Sequence, residues 1–256
     1  MKYFIHLAYK GTQYHGWQQQ PNHPSVQETL EDAIRKMTGQ QINCIGCGRT
    51  DAGVHASQFF CHIKVEEPFD YDPVFRLNKM LPNDISIYDF IEVKRDAHAQ
   101  HDASLRTYTY LIHFDKSPFL SDVSSFYSKK NLDFEKMEQA TALFRTCKDF
   151  RAVCKQPDLY KNTLCEMQEA RMEINATKTR LIFTFSANRF LRGMVRIIIG
   201  NILEVGYGRL RLQDLVECLN SGISPTHFNS VYPQGLYLSG VEYPYLKSIT
   251  TTFPRF

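Results

Sequence analysis

Gly46-Cys47-Gly48-Arg49-Thr50-Asp51-Ala52-Gly53-Val54-His55-Ala56 separates two apolar segments, Gln41 to Ile45 before it and Ser57 to Val65 after it. A two-residue turn would join two strands with fewer residues, so a hairpin alone does not explain this loop. Its three glycines allow positive φ and close backbone approach to a ligand. It carries one carboxylate, Asp51, with Arg49 two residues earlier. A carboxylate held in such a loop is a candidate acid, base or nucleophile. The plain alternative is a glycine-rich hairpin with a solvated Asp, and the rest of the chain decides between them.

Outward from the loop, the apolar pattern predicts alternating elements. Lys2 to Tyr9 reads as a strand. Ser25 to Thr38 reads as a helix, with Ser25 and Glu28 as a capping box, an apolar stripe from Val26 to Met37, and Gly39 as its stop. Strands follow over Gln41 to Cys47 and Ser57 to Val65. Asp72 caps a helix with Pro73 at its first position, ending near Met80, and Ile85 to Val93 is a strand. The order is β-α-β-β-α-β.

The same order is expected again: strand Leu105 to Phe114, helix Asp133 to Arg145, hairpin strands Thr163 to Ile174 and Arg180 to Ala187, helix Arg189 to Val205, an extra helix Leu212 to Leu219, and strand Gly235 to Tyr243. This predicts an α+β fold of two ferredoxin-like halves, sheets flanked by helices, with an active-site cleft between them. The expected domains are 1–103, carrying the Asp51 loop, and 104–256, carrying the active-site Tyr and Arg.

Composition narrows the function class. The chain has 256 residues, 43% hydrophobic and 22% charged, with 18 Phe and 14 Tyr. A sizeable core is expected rather than disorder. Net charge is only +3, so basic clusters matter more than the total. Seven cysteines, an odd count, suit free thiols in the cytoplasm. The start reads as a strand rather than a leader, and no apolar run reaches membrane-spanning length.

Three further features carry chemistry. In the expected helix from Arg189, Arg189, Arg192 and Arg196 recur at i, i+3 and i+7 among apolar residues, and so share one face. A guanidinium buried there needs an anion, and Asp51 is one such partner, although another carboxylate or snorkelling would also serve. In Arg106-Thr107-Tyr108-Thr109-Tyr110, alternation puts Arg106, Tyr108 and Tyr110 on one face, offering a ring for stacking and a phenol for proton transfer. The long connector Lys148 to Asn162 holds Lys148, Arg151, Lys155 and Lys161 with few acids, which suits phosphates or plain solvent. The loop Lys10 to Pro24 holds Trp17, the single tryptophan, read as a plug onto the core. Cys44 and Cys47 have Cys-x-x-Cys spacing, but no second pair follows and alternation points them to opposite faces. No metal site is expected.

Gly48-Arg49-Thr50-Asp51-Ala52-Gly53-Val54-His55-Ala56 resembles the signature of TruA-type tRNA pseudouridine synthases. Further similarity lies in Tyr9-Lys10-Gly11-Thr12, Tyr14-His15-Gly16-Trp17-Gln18, Ser25-Val26-Gln27-Glu28, Leu77-Asn78, Leu81-Pro82-Asn83-Asp84-Ile85, Arg106 to Tyr110, Phe190 to Arg196 and Gly235-Leu236-Tyr237-Leu238. The resemblance implies isomerisation of uridine to pseudouridine at positions 38 to 40 of the tRNA anticodon arm, without metal or cofactor. It implies Asp51 as the catalytic carboxylate, attacking C1′ or acting as a base on the sugar. Tyr108 stacks on the target base, Arg196 is the ionic partner, and Arg49 fills the gap left by the flipped nucleotide. RNA contacts are expected at Arg49, Arg106, Tyr108, Lys155 and Arg192. A homodimer without membrane attachment is implied. The chain departs from the family pattern at Gln100, His101 and Pro225 to Ser230, which leaves two other readings: the same chemistry on ribosomal RNA, or RNA binding without catalysis.

Overall fold

The computed structural model describes residues 1–224 and 230–247. Of the divergent run Pro225 to Ser230, residues 225–229 lie outside the described residues. The chain is α+β and divides into two compact units. Unit 1 is Met1–Ser104 together with the described residues from Tyr237 on, and unit 2 is Leu105–Leu236.

Unit 1 contains β1 (Lys2–Tyr9), α1 (Val26–Thr38), β2 (Ile45–Gly46), β3 (His55–Lys64), α2 (Pro73–Met80) and β4 (Ile85–Glu92). β1 lies between β3 and β4 and is antiparallel to both. β2 pairs with β3 at His62 and Cys61. The helices start where local chemistry dictates. Ser25 accepts the Glu28 N–H at 3.2 Å, and Gly39 closes α1 with a left-handed φ of 72°. Asp72 accepts the Phe75 N–H at 3.0 Å, with Pro73 at the first position of α2. Val26, Leu30, Ala33 and Ile34 are buried, as the 3.6-residue period requires.

Unit 2 contains β5 (Leu105–His113), β6 (Ser125–Phe126), α3 (Phe134–Thr146), β7 (Met167–Ile174), β8 (Arg180–Ala187), α4 (Met194–Gly206) and α5 (Leu212–Ser221), and β9 (Leu236–Glu242) begins at its last residue. β8 lies between β5 and β7, antiparallel to both, and β6 adds parallel to β5. Asp133 caps α3 by accepting the Lys136 N–H at 3.1 Å. α3 packs on β7 and α4.

Three expectations need correction. The first strand of the Gly46 hairpin is two residues long, not seven, because the chain before it is held by side chains: Glu31 accepts the Cys44 N–H at 2.7 Å. The last strand was expected within a second domain spanning 104–256. Its pairing is instead parallel with β3, His55 against Tyr237 and Ala56 against Leu238, so the chain beyond Leu236 packs with unit 1. Tyr243 cements this: its ring lies 5.0 Å from Phe4 and 5.4 Å from Phe60, and its hydroxyl donates to the Ala99 carbonyl at 2.6 Å. The third correction concerns the arginine helix. It begins at Met194, not Arg189, because Gly193 adopts φ 71° and cannot continue a right-handed turn. Arg189 and Arg192 precede the helix, so they do not share a helical face with Arg196.

Candidate active site

Asp51 sits in a loop built against the segment between β1 and α1. The Thr50 hydroxyl accepts the Trp17 N–H at 3.1 Å and lies 2.8 Å from the Tyr9 hydroxyl. The Gly53 N–H donates to the Tyr14 carbonyl at 3.1 Å, and the Gly11 N–H donates to His55 Nδ1 at 2.9 Å. The Val54 N–H closes a turn onto the Asp51 carbonyl at 3.1 Å. Residues on both sides of Asp51 are therefore fixed, and the backbone that carries its carboxylate is held in place.

Two glycines outside the loop make this approach possible. A Cβ on Gly11 would lie 2.0 Å from the Val54 carbonyl oxygen. A Cβ on Gly16 would lie 2.1 Å from the Thr50 carbonyl oxygen and 3.1 Å from the carbonyl carbon of Asp51, and Gly16 has φ 89°. Only glycine lets two backbones touch in this conformation. Trp17 is buried beneath, its ring 4.2 Å from Phe59, so it plugs the loop onto the core. The residues themselves differ in access: Asp51 is half-buried, and Arg49 is exposed on the same loop.

Cys44 and Cys47 flank the short β2 rather than lying within it, so strand alternation does not separate them. Both act on Cys61: burial, a hydrogen bond with Cys44 and the nearby Cys47 push the Cys61 thiol well above the usual range. All three are buried. Among the described residues, no group of three His, Cys, Asp or Glu side chains is placed to hold a metal ion.

In unit 2, β5 places Tyr108 half-buried, edge-on to Phe190 at 4.9 Å and 81°. Arg106, two residues earlier, donates from Nη1 to the Asn188 carbonyl at 3.2 Å. Tyr110 has a different role. It is fully buried, and its hydroxyl donates to the Tyr232 carbonyl at 2.9 Å and lies 2.8 Å from Ser125 Oγ.

Arg196 is half-buried on the first turn of α4. Its Nε donates to the Val231 carbonyl at 2.8 Å, while the Val231 N–H donates to the Arg196 carbonyl at 3.2 Å. This two-way tie fixes the guanidinium's direction. Sequence reasoning missed Val231, since a backbone carbonyl leaves no residue-type signal.

The turn before α4 gathers cations that the sequence put on separate segments. The Lys155 N–H donates to the Arg192 carbonyl at 3.1 Å, and the Lys155 alkyl chain lies over Gly193. Arg192 donates to Gln156 Oε1 at 2.6 Å, and its N–H donates to the Tyr160 hydroxyl at 3.0 Å. The Arg189 guanidinium lies 5.7 Å from the centre of the Tyr160 ring. Lys155, Arg189 and Arg192 therefore form one basic cluster with Lys155 and Arg192 exposed. Arg151, on the same connector, is paired with Asp158.

The sequence matches the model of a family described as tRNA pseudouridine synthase over residues 6–80 and 141–244. It is 41% identical over 246 residues to tRNA pseudouridine synthase A of Porphyromonas gingivalis, covering 95% of this chain and 97% of that one. Against tRNA pseudouridine synthase A of Bacteroides fragilis the identity is 43% over 246 residues, covering 95% and 96%. Against that of Caldicellulosiruptor bescii it is 38% over 240 residues, covering 93% and 97%. Matches of this length take in the Asp51 loop and the Arg196 helix alike, and the chain belongs to the tRNA pseudouridine synthase family.

Proposed function

We propose that this chain isomerises uridine to pseudouridine in tRNA, at positions 38 to 40 of the anticodon arm, with Asp51, Tyr108 and Arg196 as its catalytic residues. The bond from C1′ to N1 breaks and one from C1′ to C5 forms; C5 loses a proton and N1 gains one. Atoms and electrons balance without an oxidant or reductant. The observation that carries the reading is the Asp51 loop, clamped through Thr50, Gly53 and His55 and backed by Gly11 and Gly16. A carboxylate fixed in this way serves as nucleophile at C1′ or base on the sugar.

Tyr108 stacks on the target base and takes the C5 proton. Arg196, aimed by Val231, supplies the positive charge that keeps a catalytic carboxylate ionised. Arg49, exposed on the loop, fills the space of the extruded base, which costs a few kcal/mol to unstack. Arg106, Lys155 and Arg192 hold phosphates. The order β4-β1-β3-β2 in unit 1 supports a ferredoxin-like half there, and unit 2 is its counterpart. The chain acts as a homodimer in the cytoplasm; no helix among the described residues is long and apolar enough to cross a membrane.

The test is pseudouridine mapping of tRNA incubated with wild-type protein and with Asp51→Ala. Wild type converts uridines in the anticodon arm, and the variant leaves them unchanged at equal RNA binding. Undiminished conversion by the variant overturns the assignment. Conversion of ribosomal RNA instead of tRNA would move the substrate and keep the chemistry.

A further inference from the structure

A cavity of about 790 Å³ opens on unit 2, beside the Val231 segment that is tied to the first turn of α4. That size suits a small-molecule or nucleotide subsite. Its lining includes Tyr127, Tyr207, Tyr232, Lys130, Arg209 and Gly200. Gly200, Leu203 and Glu204 follow Arg196 on α4 at i+4, i+7 and i+8, and Tyr207 just past its end at i+11, so they continue the helical face that carries Arg196. Gly200 lies inside the helix and contributes no side chain to the lining.

The walls have the chemistry of a nucleotide site. The Tyr127 and Tyr232 ring centres lie 5.8 Å apart, and Tyr232 is exposed, so its ring is accessible to a planar ligand. Aromatic faces accept any base. The Arg209 guanidinium lies 4.9 Å from the centre of the Tyr207 ring and pairs with Glu204 at 3.2 Å. Lys130 and Arg209 against Glu204 leave one positive charge, which matches the single negative charge of a phosphodiester. Val231, whose carbonyl orients Arg196, also lines the cavity.

We propose that this cavity holds a second nucleotide of the bound RNA, outside the reacting uridine, with its base on Tyr232 and its phosphate at Lys130. This rests on the reading of the chain as an RNA-modifying enzyme. A second anchor helps to hold the strand while one base is extruded.

The test uses Tyr232→Ala and Lys130→Ala, introduced both into the active protein and into the Asp51→Ala protein. Tyr232 keeps its backbone bonds to the Tyr110 and Tyr127 hydroxyls in the variant, so the fold is retained; circular dichroism checks this. In the Asp51→Ala protein, the Kd for an anticodon-arm RNA rises roughly tenfold with Tyr232→Ala. It rises a few-fold with Lys130→Ala, with a salt slope lower by about one. In the active protein, KM rises while kcat at saturating RNA is kept. Unchanged Kd and KM in both variants overturn the inference. So does binding of uridine 5′-monophosphate to the cavity, followed by the Tyr232 ring resonances, when RNA affinity ignores the variants; the cavity would then serve free nucleotides. Absence of pseudouridine in tRNA incubated with the wild-type protein overturns the functional reading separately, since the Kd comparison does not depend on turnover.

Discussion

At the scale of single residues, the candidate site depends on atoms that are missing. Gly16 touches the backbone of Thr50 and Asp51 in a left-handed conformation. Gly16→Ala therefore meets both an unfavourable φ and a carbonyl oxygen at 2.1 Å. We expect a loss of at least about 2 kcal/mol in stability and a lower kcat at unchanged RNA affinity, read by denaturant unfolding and single-turnover assays. Full kcat would mean that the loop tolerates displacement and is not held for catalysis. Tyr108 tests the opposite case, a group that is present. Tyr108→Phe keeps the ring against Phe190 and loses only the hydroxyl. If that hydroxyl carries the C5 proton, turnover falls by roughly 10²–10⁴ with RNA affinity kept; wild-type turnover would assign the proton elsewhere. The residue types at both positions were legible in the sequence, as were Asp51 and Trp17. What was not legible is how they are held. Thr50 bonding to Tyr9 and Trp17, or Val231 turning Arg196, are contacts across long sequence separations, and a backbone acceptor has no signature in residue identity.

At the scale of elements, caps read well and helix starts amid apolar sequence read poorly. Ser25, Asp72 and Asp133 each accept a backbone N–H three residues on, because a short polar side chain before an apolar stripe has few other uses. The segment before α4 misled for a physical reason. Arg189, Arg192 and Arg196 carry helical spacing, yet Gly193 breaks the helix and its neighbours bond instead to the connector at Lys155 and Tyr160. The consequence is functional. Lys155 and Arg192, some forty residues apart in sequence, stand in one basic cluster and should act on the same stretch of phosphates. Each of Lys155→Ala and Arg192→Ala is expected to lower the salt slope of RNA binding by about one, uniformly across RNA sequences. Filter-binding titrations over a salt series measure this. A slope identical to wild type in both variants would leave the cluster as solvated surface.

At the scale of the whole molecule, the alternation of strands and helices was legible, but the destination of the last strand was not. A strand has two edges to pair, and nothing in Leu236–Glu242 says that it joins β3 of unit 1. The same sheet sets how the molecule responds to acid. His6 on β1 and His62 on β3 are buried, and burial holds each imidazole down at about 4. For His6 the nearby Asp89 opposes that effect; for His62 Lys2 and His98 add to it. His6 Nε2 has no hydrogen-bond partner, and its ring stacks on Phe60 at 4.7 Å, while His62 Nδ1 accepts the Ala99 N–H at 3.1 Å. Both sites suit neutral rings. In the unfolded chain these histidines titrate near the ordinary value of about 6.5. Between the two values the unfolded chain binds protons that the folded chain refuses, so stability is complete above about pH 6.5 and falls as the pH drops towards 4. The expected loss is on the order of 1–3 kcal/mol per histidine. Urea midpoints at pH 7.5 and 4.5 measure the total. His6→Phe keeps the stack on Phe60 and removes the proton site, so about half of the histidine contribution should vanish in that variant. An equal acid shift in wild type and His6→Phe would place the pH dependence in other groups, such as His113 of unit 2, which burial also holds down.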